Sequence, residues 1–160
     1  MLKPGDNAPS FSLESSKGGR ITLESLKGKW AVLYFYPKDN TPGCTVEACG
    51  FRDGLSSLTE LGAVVLGVSP DDLESHRKFI SDYDLNFALL SDLDHEVAEK
   101  FGAWTEKTNY GKTYWGIQRS TFLIDPNGKI AHVWPRVKPE SHAEEVRAKL
   151  EELLRQFQQA

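Results

Sequence analysis

Cys44 and Cys49 are the only thiols of this chain, and both lie in Pro37-Lys-Asp-Asn-Thr41-Pro42-Gly43-Cys44-Thr-Val-Glu47-Ala-Cys49, directly after the apolar run Trp30-Ala-Val-Leu-Tyr-Phe-Tyr36. A lone buried thiol is ordinary core filling, but a close pair at a strand-to-helix junction points to thiol redox chemistry. Thr41 is of a type suited to a helix N-cap, and Pro42 suits the first helical position, where a missing N–H costs nothing. Cys44 then falls in the first turn, where free backbone N–H groups and the helix dipole favour the thiolate, the nucleophilic form of sulfur. Cys49, more than a turn further on, receives less of that help. Thr41 is also placed to turn its hydroxyl towards the Cys44 sulfur or its N–H.

The spacing limits what the pair can do. Residues five apart in a regular α-helix have Cα atoms roughly 8.5 to 9 Å apart, whereas disulfides rarely tolerate more than about 7 Å. A Cys44–Cys49 bond therefore requires at least local unwinding of the helix that carries them.

The elements around the cysteines read as alternating strands and helices. Residues 30–36 are continuously apolar and rich in aromatic and β-branched types, as expected of a central strand covered on both faces. Residues 62–68 repeat that signature, and 87–90 form a shorter candidate strand. Helices are expected over 41 to 58 or 60, over 73–83 with Leu73, His76, Ile80 and Tyr83 at helical spacing, and over 94–101, ending at Gly102. Residues 11–13 and 21–23 suit a small N-terminal hairpin. Residues 121–134 read as a second hairpin turning at Asp125-Pro-Asn-Gly128, an antiparallel edge for the sheet. The last helix opens on Ser141-His-Ala-Glu144, a capping-box pattern, and places Val146, Leu150, Leu153 and Phe157 on one face. Residues 103–118 show no periodicity and read as a long, aromatic-bearing loop. This order implies an α/β architecture, a mixed sheet with helices on both faces.

Bulk properties narrow the setting. The 160 residues suffice for one domain with a single core. With 39% hydrophobic and 26% charged residues the chain reads as soluble and globular. A net charge of -4 and no concentrated basic face argue against nucleic acid as a partner. No apolar run approaches the roughly 18 residues that span a bilayer, and the first residues lack a signal-peptide core, so a cytoplasmic location is expected. In such a reducing compartment a disulfide is more often transient and catalytic than structural. His76, His95, His132 and His142 are scattered singly, against the close ligand pairs of zinc sites, and read as surface or packing residues. Trp30, Tyr34 and Phe35 read as core, while Trp104 and Trp115 either line the entrance to the site or pack within their loop.

Pro37-x-x-x-Thr41-x-x-Cys44 resembles the active-site signature of peroxiredoxins, and residues 36–53 as a whole resemble the bacterioferritin comigratory protein, or peroxiredoxin Q, branch. The likeness extends to residues 3–9, 89–92, 111–114 and 116–125. The resemblance implies a thioredoxin-like fold with Cys44 as the peroxidatic cysteine and Cys49 as the resolving cysteine of the same chain. It implies further that Pro37 shields the thiolate, that Thr41 hydrogen-bonds it and the peroxide, and that Arg119 joins them from another part of the sheet. A fixed guanidinium there would favour the thiolate and the charge developing on the peroxide oxygens. Glu47 is left between two roles, orienting Arg119 or facing solvent.

The implied cycle runs from a Cys44 sulfenic acid to a Cys44–Cys49 disulfide, reopened by thioredoxin or a similar dithiol. No metal, flavin or nucleotide cofactor is needed, and an internal resolving cysteine removes the chemical need for a dimer, so a monomer is expected. Two alternatives stand beside this reading. Cys49 is a packing residue and another thiol resolves, or the chain is a non-enzymatic redox sensor or interaction module that uses the same disulfide. A thioredoxin-type oxidoreductase is disfavoured, since such sites use Cys-x-x-Cys.

Overall fold

The apolar run after Lys29 forms β3 (Trp30–Phe35), every residue of which is buried. This is a computed structural model, describing the backbone of residues 1–159 and the side chains of residues 1–156. Successive side chains of β3 go to opposite faces. Ala31, Leu33 and Phe35 enter one core with Leu66, Leu90, Phe101 and Phe122, and Trp30, Val32 and Tyr34 enter a second with Phe51, Leu58, Phe79 and Leu150. Burial on both sides explains the absence of polar alternation.

β3 pairs in parallel with β4 (Ala63–Ser69), which pairs in parallel with β5 (Ala88–Ser91). On its other side β3 runs antiparallel to β8 (Ser120–Ile124), which carries β9 (Ile130–Trp134). The N-terminal hairpin of β1 (Ser12–Ser15) and β2 (Arg20–Thr22) joins the sheet through β1 and β5. The seven-stranded order is β2-β1-β5-β4-β3-β8-β9.

Helix α1 (Pro42–Glu60) begins one residue after Thr41, the expected N-cap. It packs with α2 (Leu73–Tyr83) and α4 (His142–Gln159) on the face of Val32 and Tyr34. The short α3 (Glu96–Phe101) covers the opposite face through Val97, Ala98 and Phe101. Its start lies two residues later than the sequence suggests, because the Asp92 carboxylate accepts from Val97 N and Ala98 N at 3.2 and 2.9 Å and His95 takes a left-handed φ of 51°. Within α4, Val146 and Leu150 are buried and Leu153 is half-buried, while Phe157 lies outside the described side chains. Ser141 has φ 63°, so its backbone departs from the extended form of a capping-box N-cap.

Residues 103–118 depart from expectation. They form an antiparallel ribbon, β6 (Trp104–Asn109) and β7 (Lys112–Ile117), closed by Tyr110 and Gly111 at φ 52° and 77°, the left-handed pair of a two-residue hairpin turn. Its residues are mostly exposed or half-buried, so neither face imposes the apolar alternation that marks a strand in sequence. No helix among the described residues is long and apolar enough to cross a membrane.

Candidate active site

Cys44 sits at the third position of α1 and is 2% exposed. Its sulfur accepts a hydrogen bond from Arg119 Nη2 at 3.2 Å. Arg119 lies in the short connection between β7 and β8, 75 residues along the chain, and the antiparallel pairing of β8 with β3 brings it to Cys44. Gly43 permits the approach: a Cβ there would stand 3.2 Å from Arg119 Nη2.

Glu47, one helical turn after Cys44, faces the same way and is buried. Its Oε1 accepts from Arg119 Nη1 at 2.7 Å, which decides between the two roles left open for it. Burial raises the Glu47 carboxyl from 4.5 to about 7, against the opposing pull of Arg119. Burial works against the Arg119 charge as well, but Glu47 and Cys44 outweigh it and raise that pKa. Both partners shift upward because desolvation dominates at the carboxylate and neighbouring negative charge at the guanidinium. Beneath them, Glu47 Oε2 and Tyr34 Oη are buried without a hydrogen-bond partner among the described residues. The Tyr34 hydroxyl is pushed well above its usual range by burial and then by Glu47.

Lys107 of β6 also feels this site: its pKa is lowered by burial first and then by Arg119, with Cys44 acting in the other direction. It stands opposite Tyr114 on the ribbon. Trp104 stacks on His95 with centroids 3.8 Å apart, and Trp115 is 58% exposed.

Thr41 behaves differently from the sequence reading. Its hydroxyl donates to Lys38 O at 2.8 Å and makes no cap bond to the helix, so its one hydrogen is turned away from the sulfur. The oxygen lone pairs remain as acceptors. Pro37 is exposed at the start of the same loop. Cys49 is half-buried and free, and α1 runs unbroken through both cysteines.

Sequence spacing alone does not pair Asp39 with His76. Asp39, two residues before Thr41, is buried and lies 2.7 Å from Nδ1 of the fully buried His76 of α2. Helical spacing puts His76 on the apolar face of its segment, which is the sequence signal for its burial. Asp39, Asp71 and His76 come close enough to share one cation. Their facing groups are already engaged by Tyr36, Ser69 and Ser75 and by one another, and hydrogen bonds within the cluster account for them.

A largely buried thiol–guanidinium–carboxylate site at a helix N-terminus on this mixed sheet defines a class. Residues 4–133 match the AhpC/TSA family, and the chain belongs to it. Within that family it is a peroxiredoxin of the Bcp, or PrxQ, type. It is 50% identical to a putative peroxiredoxin Bcp of Coxiella burnetii over 149 residues, 93% of this chain and 99% of that one. It is 49% identical to peroxiredoxin Bcp of Bacillus subtilis over 152 residues, 95% and 97% of the two chains. Among solved structures, a cysteine-to-serine mutant of Xylella fastidiosa PrxQ superposes with a TM-score of 0.91 at 39% identity, covering 96% of this chain and 98% of the other. The Xanthomonas campestris bacterioferritin comigratory protein, described in terms of its alkyl peroxide reduction activity, gives 0.86 at 40% identity over 94% and 96%. The fold is thus the thioredoxin-like fold of the peroxiredoxins.

Proposed function

We propose that this thiol peroxidase attacks its hydroperoxide with Cys44, and the observation that carries the assignment is the 3.2 Å hydrogen bond from Arg119 Nη2 to the Cys44 sulfur. A guanidinium hydrogen-bonded to sulfur favours the thiolate, and the same cation can hold negative charge as it moves onto oxygen. The thiolate forms an S–O bond with the peroxide as the O–O bond breaks. The leaving oxygen takes a proton and departs as water or an alcohol, leaving Cys44 as a sulfenic acid.

Cys49 is assigned as the resolving thiol. Once α1 opens, its thiolate displaces hydroxide from the sulfenic sulfur, which leaves as water, and a disulfide forms. A thioredoxin-type dithiol then restores both thiols by two exchanges. Alkyl hydroperoxides join hydrogen peroxide as substrates, supported by the alkyl peroxide chemistry of the Xanthomonas relative. The Thr41 hydroxyl is assigned to the bound peroxide, reached when its bond to Lys38 O is exchanged, and Pro37 to limiting water at the sulfur.

The test is peroxide turnover with thioredoxin as reductant, followed by mass spectrometry of the oxidised chain. Sustained turnover abolished by Cys44→Ser, with an internal Cys44–Cys49 link, supports the reading. One equivalent of peroxide consumed per chain would instead favour a redox sensor, and an intermolecular disulfide would overturn the assignment of Cys49.

A further inference from the structure

The loop between β3 and α1 carries Thr41 and delivers Cys44. Asn40 there sits at φ 62°, a left-handed conformation that asparagine accepts more readily than most side chains. The neighbouring Asp39 restrains the loop. Its Oδ1 accepts from Tyr36 Oη at 2.5 Å and its Oδ2 from Ser75 Oγ at 2.8 Å. Its backbone N–H donates at 2.8 Å to Asp71 Oδ2, which also accepts from Ser69 Oγ at 2.6 Å. Ser91 Oγ in turn donates at 2.6 Å to the Asp71 carbonyl.

His76 completes the set. Its Nε2 lies 2.9 Å from the Leu90 carbonyl oxygen, which only accepts, so Nε2 bears a hydrogen. Its Nδ1 lies 2.7 Å from Asp39 Oδ2, within hydrogen-bond distance of the carboxylate. Both side chains are sealed from solvent, at 0% and 1% exposure. Burying an ionisable pair is poor value as packing, since apolar side chains of similar size serve that purpose as well or better. The pair does something packing alone cannot: it gives α2 and β5 a directional hold on one residue of the active-site loop.

We propose that the buried Asp39–His76 pair is a positioning device for Cys44, locking residues 37–41 in the conformation that presents the first turn of α1 to Arg119. His76 acts through Asp39 and the loop and touches no reacting atom. The inference rests on Cys44 being the attacking thiol. It separates two steps of the cycle, because attack on peroxide needs the closed loop whereas disulfide formation needs the helix to open.

The test is single-turnover oxidation by hydrogen peroxide, quenched at short times with a sulfenic-acid trap and read by mass spectrometry, for the parent chain, His76→Leu and Asp39→Asn. His76→Leu is expected to slow sulfenic acid formation by about tenfold or more, in line with the sensitivity of such steps to small misplacements. Disulfide formation should be no slower than in the parent. Asp39→Asn keeps the shape and one neutral hydrogen bond, and should show a smaller loss confined to the same step. It also decides the matter if His76→Leu fails to fold by circular dichroism. Parent-like sulfenic acid formation in either folded variant, or equal slowing of both steps, overturns the proposal. Failure of the underlying reading looks different, since Cys44→Ser would then still consume peroxide.

Discussion

Arg119 serves two partners with one guanidinium, Cys44 through Nη2 and Glu47 through Nη1. Replacing it with methionine keeps the length and removes the charge, and is expected to slow Cys44 oxidation by roughly 10²- to 10³-fold, the usual effect of deleting a preorganised charge-stabilising donor. Stopped-flow oxidation by hydrogen peroxide measures this directly. Glu47 leads to a different expectation. Between 4.5 and about 7 the folded chain holds a proton on Glu47 that the unfolded chain has released. Stability therefore falls as pH rises through that window, by on the order of 3 kcal/mol once Glu47 is fully ionised, and is regained below it. Glu47→Gln should flatten that part of the stability profile, and urea unfolding across the window would show it; an unchanged slope would mean that Glu47 ionises normally.

At the scale of elements, helix α1 supports the thiol and, while intact, opposes the proposed Cys44–Cys49 bond. Its regular backbone keeps residues five apart at roughly 8.5 to 9 Å, beyond the disulfide range. In the disulfide form, amide exchange should therefore accelerate in the first two turns of α1 and remain slow in β3. Equal protection of α1 in dithiol and disulfide forms would rule out the unwinding step. The sheet beneath is close-packed. A Cβ at Gly67 of β4 would lie 2.8 Å from Leu89 Cδ2 and 2.9 Å from the Tyr34 ring, which is itself stacked on Phe51 of α1 at 4.8 Å. Gly67→Ala is expected to cost about 1–3 kcal/mol through overpacking, measurable as a lower denaturation midpoint at unchanged m-value.

For the whole molecule, the assignment of both cysteines to one chain gives a kinetic expectation. The rate of disulfide formation after a peroxide pulse should not change with protein concentration. A rate rising in proportion to concentration would move resolution to a second chain. The buried network linking the active-site loop, α2 and β5 belongs to this scale too, because its members come from positions 36 to 91 and only the assembled sheet brings them together.

Local sequence was enough wherever a physical rule is local. Thr41-Pro42 set the start of α1, the uninterrupted apolar run set β3, and Asp125-Pro-Asn-Gly128 set the β8–β9 turn, since caps, burial on two faces and turn geometry depend on near neighbours. The place of Cys44 in the first turn followed from the same rules. Arg119 was legible only through the resemblance to peroxiredoxins, because nothing nearby marks it and the 75 residues between it and Cys44 are closed by strand pairing. The β6–β7 ribbon has no sequence signature because solvent on its faces erases the pattern that burial writes. The burial of Glu47, the turn of the Thr41 hydroxyl towards Lys38 and the Asp39–His76 contact were decided by tertiary structure alone. Each depends on which groups are left without water once the helices close over the sheet, and desolvation is a property of the assembled chain.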